Sequence, residues 1–401
     1  MDMIVFLGRR KNLLARNGSS AGDGLGGQLH DQGGLMKRLV WSGSLAAGLL
    51  LAASAAMAEG PEATRAAAQL APYRQLPKFE TPGEPFDARA CMKDKQILSI
   101  PASSAVPFLK IIETSMAKVA KDIGFNLKEW ENQGQPTQWV QGIDYAISNK
   151  YNLIDLLAGA DPRFLEPQVK AAKDAGLKVI AAHLTGFEQA PPGGVNGVVP
   201  IDYKRAGALL ADWAIWKTDG NVNAVVLTVN DVLSTDSMVS GLKEEFAQCP
   251  RCKVNYINIP ILDFATKTQT IVQSALTADP SINYVIPLYD VLSQWVVPAV
   301  TITGREGKTK IVTFNGTPFA IGFIQQGKIE MDVGENLDWI GHGVVDAEMR
   351  VLCGLPMVKD PHIPLYIFDQ ANADSAGKPP QPSTGYGDAY IAGYRKLWKL
   401  Q

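Results

Sequence analysis

The sequence lacks any marked imbalance of charge. Its 38 Lys and Arg against 40 Asp and Glu leave a net charge of −2 over 401 residues, and no block of like charge stands out. A basic footprint for nucleic acid and a charged interaction tail are therefore both absent, and no nucleic-acid partner is expected. Histidine is scarce, with 4 in the chain. There is no His-Glu-x-x-His pair, no Walker loop and no EF-hand loop. No elbow of the Gly-x-Ser-x-Gly type follows an expected strand, and acyl transfer needs a nucleophile beside a general base. Carboxylates distant in sequence can still converge, yet no feature selects a catalytic pair. No enzyme activity, cofactor or metal is expected.

Long apolar runs are missing apart from one near the N-terminus. Lys37 and Arg38 precede the run Leu39 to Ala56, which ends in Ala56-Met57-Ala58. A basic start, an apolar middle and a small-x-small end make a secretory signal peptide, 36–58, cleaved after Ala58 within a leader of 1–58. A membrane anchor is the competing reading, since roughly 20 apolar residues span a bilayer; the many Ala, Gly and Ser residues and the cleavage pattern argue against it. No cysteine follows the run to carry a lipid. Residues 1 to 35 are Gly- and Arg-rich, as expected if translation starts at Met36, and Gly22 to Gly27 has no strand before it to make a nucleotide loop.

The 4 cysteines are Cys91, Cys249, Cys252 and Cys353. Export places them where disulfides persist. Cys249-Pro250-Arg251-Cys252 has the spacing of a redox motif or half a zinc site, but zinc would need two further ligands, and beyond the leader the histidines are His183, His342 and His362. A structural disulfide between Cys249 and Cys252 is the reading taken; so short a loop adds only about 2 kcal/mol by chain entropy. Cys91 and Cys353 are left over, and sequence does not establish whether they pair.

Residues 59–90 read as an Ala- and Pro-rich extension, partly helical through Glu62 to Leu70. From Gln96 short apolar runs alternate with amphipathic segments: strands at 96–100, 126–130, 152–157 and 178–182, helices at 106–123, 136–149 and 163–175. After a Pro/Gly-rich passage at 191–197 the rhythm returns, with helices at 204–217, 234–247, 265–278 and 290–303 and strands at 222–228, 253–259, 283–287 and 309–314. Such βαβ alternation specifies an α/β fold with parallel sheets flanked by helices, written twice. Open parallel sheets bind ligands at the carboxyl ends of their strands. Turn and polar residues gather there: Pro101–Val106, Ala158–Arg163, His183–Glu188, Asn230–Asp236, Tyr289-Asp290 and Asn315-Gly316-Thr317. Asp161-Pro162 is first of all a helix start. Phe108, Phe264 and Tyr289 stand beside strand ends, where a flat ring can cover the apolar face of a solute. In the tail, Asp388 to Leu400 recovers a helical apolar stripe, expected to dock on a lobe.

Several strings in this order resemble a known family: Pro107-Phe108; Ala171 to Gly176 before Val179-Ile180; Asp263-Phe264; Tyr289-Asp290; Thr313 to Pro318; Ile340-Gly341. Over roughly 95–355 the chain resembles the type 1 periplasmic binding proteins of sugar transporters, the ribose-binding protein family. The resemblance implies two Rossmann-like lobes, with crossings near Asp202, Glu335 and Pro361: a first lobe of 91–202 plus 336–360, and a second of 203–335 plus 361–401 including the tail. It implies a monomeric periplasmic component of an ABC importer that captures a sugar, polyol or related compound and docks on a membrane permease. A sensory binder for a receptor kinase or chemoreceptor, and an exported carbohydrate-active enzyme, are the alternatives. A repressor of the same fold would need a helix-turn-helix before the first lobe and no export signal.

Carried over residue by residue, the family places Phe108, Phe264, Tyr289, Asn315 and Glu335 in the cleft, with His183, Asp236 and Asp290 beside them. The match departs where it matters for the solute. His183-Leu184 stands where the ribose binder has an Asp-Arg pair, Asp236 replaces its second Arg, and Tyr289 and Glu335 replace Asn and Gln. With both Arg forks lost, three carboxylates, Asp236, Asp290 and Glu335, point to a polyhydroxylated or cationic solute and disfavour a carboxylate.

Overall fold

The computed structural model describes residues 60–400; the expected leader, with the signal peptide read at 36–58 and its cleavage position, lies outside the described residues. The extension holds α1 (Pro61–Leu70) and α2 (Ala88–Met92). The first series is β1 (Gln96–Pro101), α3 (Pro107–Ile123), β2 (Asn126–Glu129), α4 (Pro136–Ser148), β3 (Leu153–Leu157), α5 (Glu166–Asp174), β4 (Lys178–Ala182) and β5 (Gly197–Val199). The second is α6 (Tyr203–Lys217), β6 (Asn223–Thr228), α7 (Ser234–Ala247), β7 (Lys253–Asn258), α8 (Phe264–Ala278), β8 (Tyr284–Pro287), α9 (Ser293–Ile302), β9 (Lys310–Asn315), α10 (Pro318–Gln325) and β10 (Met331–Glu335). The chain ends with α11 (Leu337–Leu352), β11 (Leu365–Asp369) and α12 (Ala389–Leu397).

Local chemistry sets these boundaries. Proline opens α3, α4 and α10, where its missing N–H costs nothing. Gly124 at φ 102° closes α3 in a conformation that a side chain would resist. The central strands are apolar without alternation because helices cover both faces; β3 is buried along its whole length.

Two sheets result. The first runs β2-β1-β3-β4-β5, all parallel; the second runs β7-β6-β8-β9-β10, parallel, with β11 antiparallel at its edge. Each lobe thus starts on an inner strand, adds one neighbour, then crosses over, which opens a crevice at the carboxyl ends beside β1 and β6. The expected architecture of two α/β lobes is what the chain builds. Three details differ from the reading by pattern. The Pro/Gly passage closes into β5, the helix expected from 163 is a 3₁₀ turn at 162–164 followed by α5, and that expected from 290 is a 3₁₀ turn at 290–292 followed by α9. Pro162 and Pro167 punctuate the former stretch.

The chain crosses between lobes after β5, after β10 and between α11 and β11. Two further passages were not foreseen. The extension lays α1 on α6, where Arg65 reaches Asp212 and Glu245. Arg74 then pairs with Asp369 at 3.0 Å over the rings of Trp213 and Trp216. Phe79 leaves that lobe and packs on Trp339 and Tyr394, and α2 lies on α11, tied by Cys91–Cys353. At the other end β11 stays with the second sheet, but α12 returns to the first lobe, because Tyr390 and Tyr394 find Trp339 and His342 there. Cys249 and Cys252 form the second disulfide.

Two packing features bear on stability. Where α6 crosses α7, a Cβ on Gly207 would lie 2.0 Å from the Met238 carbonyl oxygen and one on Gly241 1.9 Å from that of Lys204. Beneath β1, three carboxyl groups, Glu113, Asp155 and Glu348, are buried together; Ser99 Oγ lies 2.6 Å from Glu113 and 3.2 Å from Asp155, and Glu348 has no partner. Burial raises the pKa of all three.

Candidate functional site

A cavity of about 170 Å³ lies between the lobes at the carboxyl ends of both sheets. The first lobe supplies Ala102 and Val106 after β1, Phe108 and Leu109 on α3, Ala158 after β3 and His183 after β4. The second supplies Tyr203, Val232, Ser234, Ile261, Phe264, Tyr289 to Val291 and Asn315. Three of these wall residues, Ala158 (φ 52°), His183 (φ 53°) and Asn315 (φ 134°), hold positive φ at the ends of their strands. Such strain persists where packing over-determines it, and it gathers at binding sites. The lobes touch beside the cavity: Gln189 Nε2 donates to the Leu233 carbonyl at 2.9 Å, and Ser237 Oγ donates to Glu188.

The polar groups of the wall are largely spent on one another. His183 meets the Tyr203 hydroxyl through Nδ1 at 2.6 Å and Glu335 through Nε2 at 2.9 Å. The Tyr289 hydroxyl lies 2.8 Å from Ser234 Oγ and 3.0 Å from Thr235 Oγ1. Burial pushes the Tyr289 pKa up to about 12, so it stays a hydroxyl at neutral pH. Asp290 accepts from the Thr317 backbone at 2.9 Å and from its hydroxyl at 2.5 Å, and burial nonetheless raises its pKa. Asn315 makes only a 3.5 Å contact with Glu335 through Nδ2.

Of the eight residues expected at the cleft, Phe108, His183, Phe264, Tyr289, Asp290 and Asn315 meet on the cavity wall. Glu335 lies behind His183 and Asn315, fully buried, with Oε1 unpaired. Asp236 is exposed on the first turn of α7 and is not part of the wall. The three carboxylates therefore do not converge on a solute; only Asp290 reaches the cavity. Asp161 caps the turn at 162–164 and pairs with Arg163. Tyr203, Leu109, Ile261 and Val291 were missed. Tyr203 directly follows the crossing at Asp202, which is the one signal that marked it. Ala102, Val106, Ala158, Val232 and Ser234 fall within strand-end stretches already singled out, as apolar or small residues without a chemical flag.

The wall presents no Lys or Arg, and no metal-binding group of His, Cys, Asp and Glu occurs among the described residues. No described helix is long and apolar enough to cross a membrane. The sequence model of the periplasmic binding protein domain matches residues 97–356.

The chain belongs to the periplasmic binding protein family.

Members of this family are binding proteins. The chain is 26% identical over 269 residues to the ribose import binding protein of Salmonella typhimurium, covering 67% of this chain and 88% of that one. The Escherichia coli ribose import binding protein is also 26% identical, over 250 residues, covering 62% and 81%. Among solved structures, a glucose-galactose binding protein from Geobacillus stearothermophilus superposes with a TM-score of 0.63 at 17% identity, covering 70% of this chain and 98% of that one. A solute-binding protein from Agrobacterium vitis with bound allitol gives 0.63 at 18%, covering 72% and 99%. These likenesses establish the fold of this binding protein. Its own residues must speak for its solute.

Proposed function

We propose that this protein is the extracytoplasmic solute-binding component of an ABC importer, capturing a small hydroxylated solute between its lobes. The observation that carries the reading is the interlobe cavity, walled by residues of both lobes in a chain of the periplasmic binding protein family. Relatives include ribose import binding proteins, and proteins of this fold were solved with D-allose, D-arabinose and allitol bound. Solute touching both lobes favours the closed arrangement by the difference in its affinity for the two states; periplasmic binding proteins are a standing example of such hinge closure. The closed lobes then present a joint face to the permease. The protein acts as a monomer in the periplasm, after loss of the leader at Ala58, and turns nothing over. A wall without Lys or Arg supports an uncharged solute over a carboxylate.

Mass spectrometry of solute released from the purified protein, with small-angle scattering before and after solute is restored, tests the reading. A reversibly bound, chemically unchanged solute and a smaller radius of gyration are expected. Conversion of the solute, or no compaction on binding, would refute capture by closure.

A further inference from the structure

The wall of the cavity is apolar where sugar sites need donors and acceptors. Val106, Phe108, Leu109, Ile261, Phe264 and Val291 line it together with Ala102, Ala158 and Val232, nine apolar residues of fifteen. Much of the polar remainder is engaged: both His183 ring nitrogens are bonded, the Tyr289 hydroxyl bridges Ser234 and Thr235, and Asp290 Oδ2 takes both bonds from Thr317. Asn315, with one 3.5 Å contact, has hydrogen-bonding capacity to spare, and the Tyr289 hydroxyl, with two partners, can accept one bond more. Each solute hydroxyl buried without a partner weakens binding by roughly tenfold or more. A ring with four or five hydroxyls would leave most of them unpaired here.

Size and surroundings agree with the wall. A cavity of about 170 Å³ is close to the ~150 Å³ apolar cavity known to admit benzene, so it takes a single six-membered ring. Among the described residues the exposed large hydrophobic side chains include Phe164 and Phe187, in the segments following β3 and β4, and Ile261 and Leu262, following β7. All four follow strand carboxyl ends, the side on which the cavity opens.

The geometry points to an uncharged aromatic or alicyclic alcohol, with one or two hydroxyl groups on a single ring, as the solute of this cavity. The ring lies among Val106, Phe108 and Phe264, and the hydroxyl meets the Asn315 amide and the Tyr289 hydroxyl. This assignment rests on the solute-capture reading and narrows its solute.

Calorimetric titration of the purified protein, stripped of bound solute, with benzyl alcohol, cyclohexanol, D-ribose and myo-inositol tests it. At least one of the two ring alcohols is expected to bind tenfold or more tightly than either polyol. Phe264→Ala should weaken that alcohol about tenfold, and Val106→Thr, which keeps shape and adds a hydroxyl, severalfold, while both variants keep the parent circular dichroism. Tighter or equal binding of ribose or inositol overturns the assignment and leaves solute capture standing. Binding of none of the four overturns the assignment, and capture itself then stands or falls on the released-solute measurement. Unchanged alcohol affinity in both variants places that alcohol elsewhere and also overturns it.

Discussion

Replacing Glu113 with glutamine should stabilise the protein, and the gain should grow with pH. Glu113 reaches under β1 from α3 with 2% of its surface exposed; Oε1 accepts from Ser99 Oγ at 2.6 Å, and Oε2 has no partner. Burial, aided by the charges of Asp155 and Glu129, pushes its pKa from 4.5 up to about 8, against the opposing effects of Ser99 and Lys110. Between those two values the folded protein keeps a proton that the unfolded chain has released, so stability falls as pH rises through that window. Over the interval from 4.5 to pH 7 the linkage amounts to roughly 3 kcal/mol. Glutamine keeps an acceptor for Ser99 and carries no charge to suppress. Glu113→Gln should therefore gain about 2–3 kcal/mol near pH 7, more toward pH 8, and almost nothing near pH 4.5. Urea unfolding at these pH values reads this as a rise in midpoint at constant m. A midpoint at or below the parent's at pH 7, or an equal gain at pH 4.5, would refute the linkage.

Three further outcomes follow from the packing. Removing Cys91–Cys353 frees a loop spanning 262 positions, so the double serine variant should lose on the order of 5 kcal/mol, against about 2 for Cys249–Cys252; denaturant unfolding of each variant compares them. Gly241→Ala drives a methyl group into the Lys204 carbonyl and should cost about 3 kcal/mol or unfold the α6–α7 contact, read as a lowered melting temperature, whereas Ala at Gly354, which has nothing within 4 Å but sits at φ 66°, should cost only about 1–2 kcal/mol. Tyr203→Phe strips His183 Nδ1 of its 2.6 Å partner, which should cost about 1–2 kcal/mol in thermal unfolding and shift the His183 imidazole resonances.

The sheets were legible because their central strands are buried on both faces, so continuous apolar runs such as 179–182 declared themselves against amphipathic helices. The final units were harder. Met331–Glu335 carries Asp332 and Glu335 inside a buried strand, which breaks the apolar run that would have marked it, and Leu365–Asp369 pairs antiparallel at an edge, outside the βαβ rhythm. At the site, polar and aromatic residues at strand ends could be named in advance: Phe108, Tyr289 and Asn315 stand where the pattern put them. What sequence could not show is how their hydrogen bonds are spent. Asp290 and Glu335 read as solute ligands while alone on a line of letters; in three dimensions Thr317 and His183 claim them first. Apolar wall residues such as Leu109 and Ile261 escaped because aliphatic side chains in a cavity and in a core look the same.

The extension is the first described part of the chain to be synthesised and among the last able to settle. Its seats are far downstream: Glu245 for Arg65, Trp339 and Tyr394 for Phe79, Cys353 for Cys91. At roughly 5–20 residues per second, Cys91 waits on the order of tens of seconds for a partner 262 positions away. During that interval a thiol and a phenylalanine travel unattended at the head of a growing polypeptide. The seats Glu245, Trp339 and Cys353 are synthesised in the order of the segments they hold, so the extension is completed only when most of the chain exists, and a chain interrupted before Cys353 leaves Cys91 without its partner.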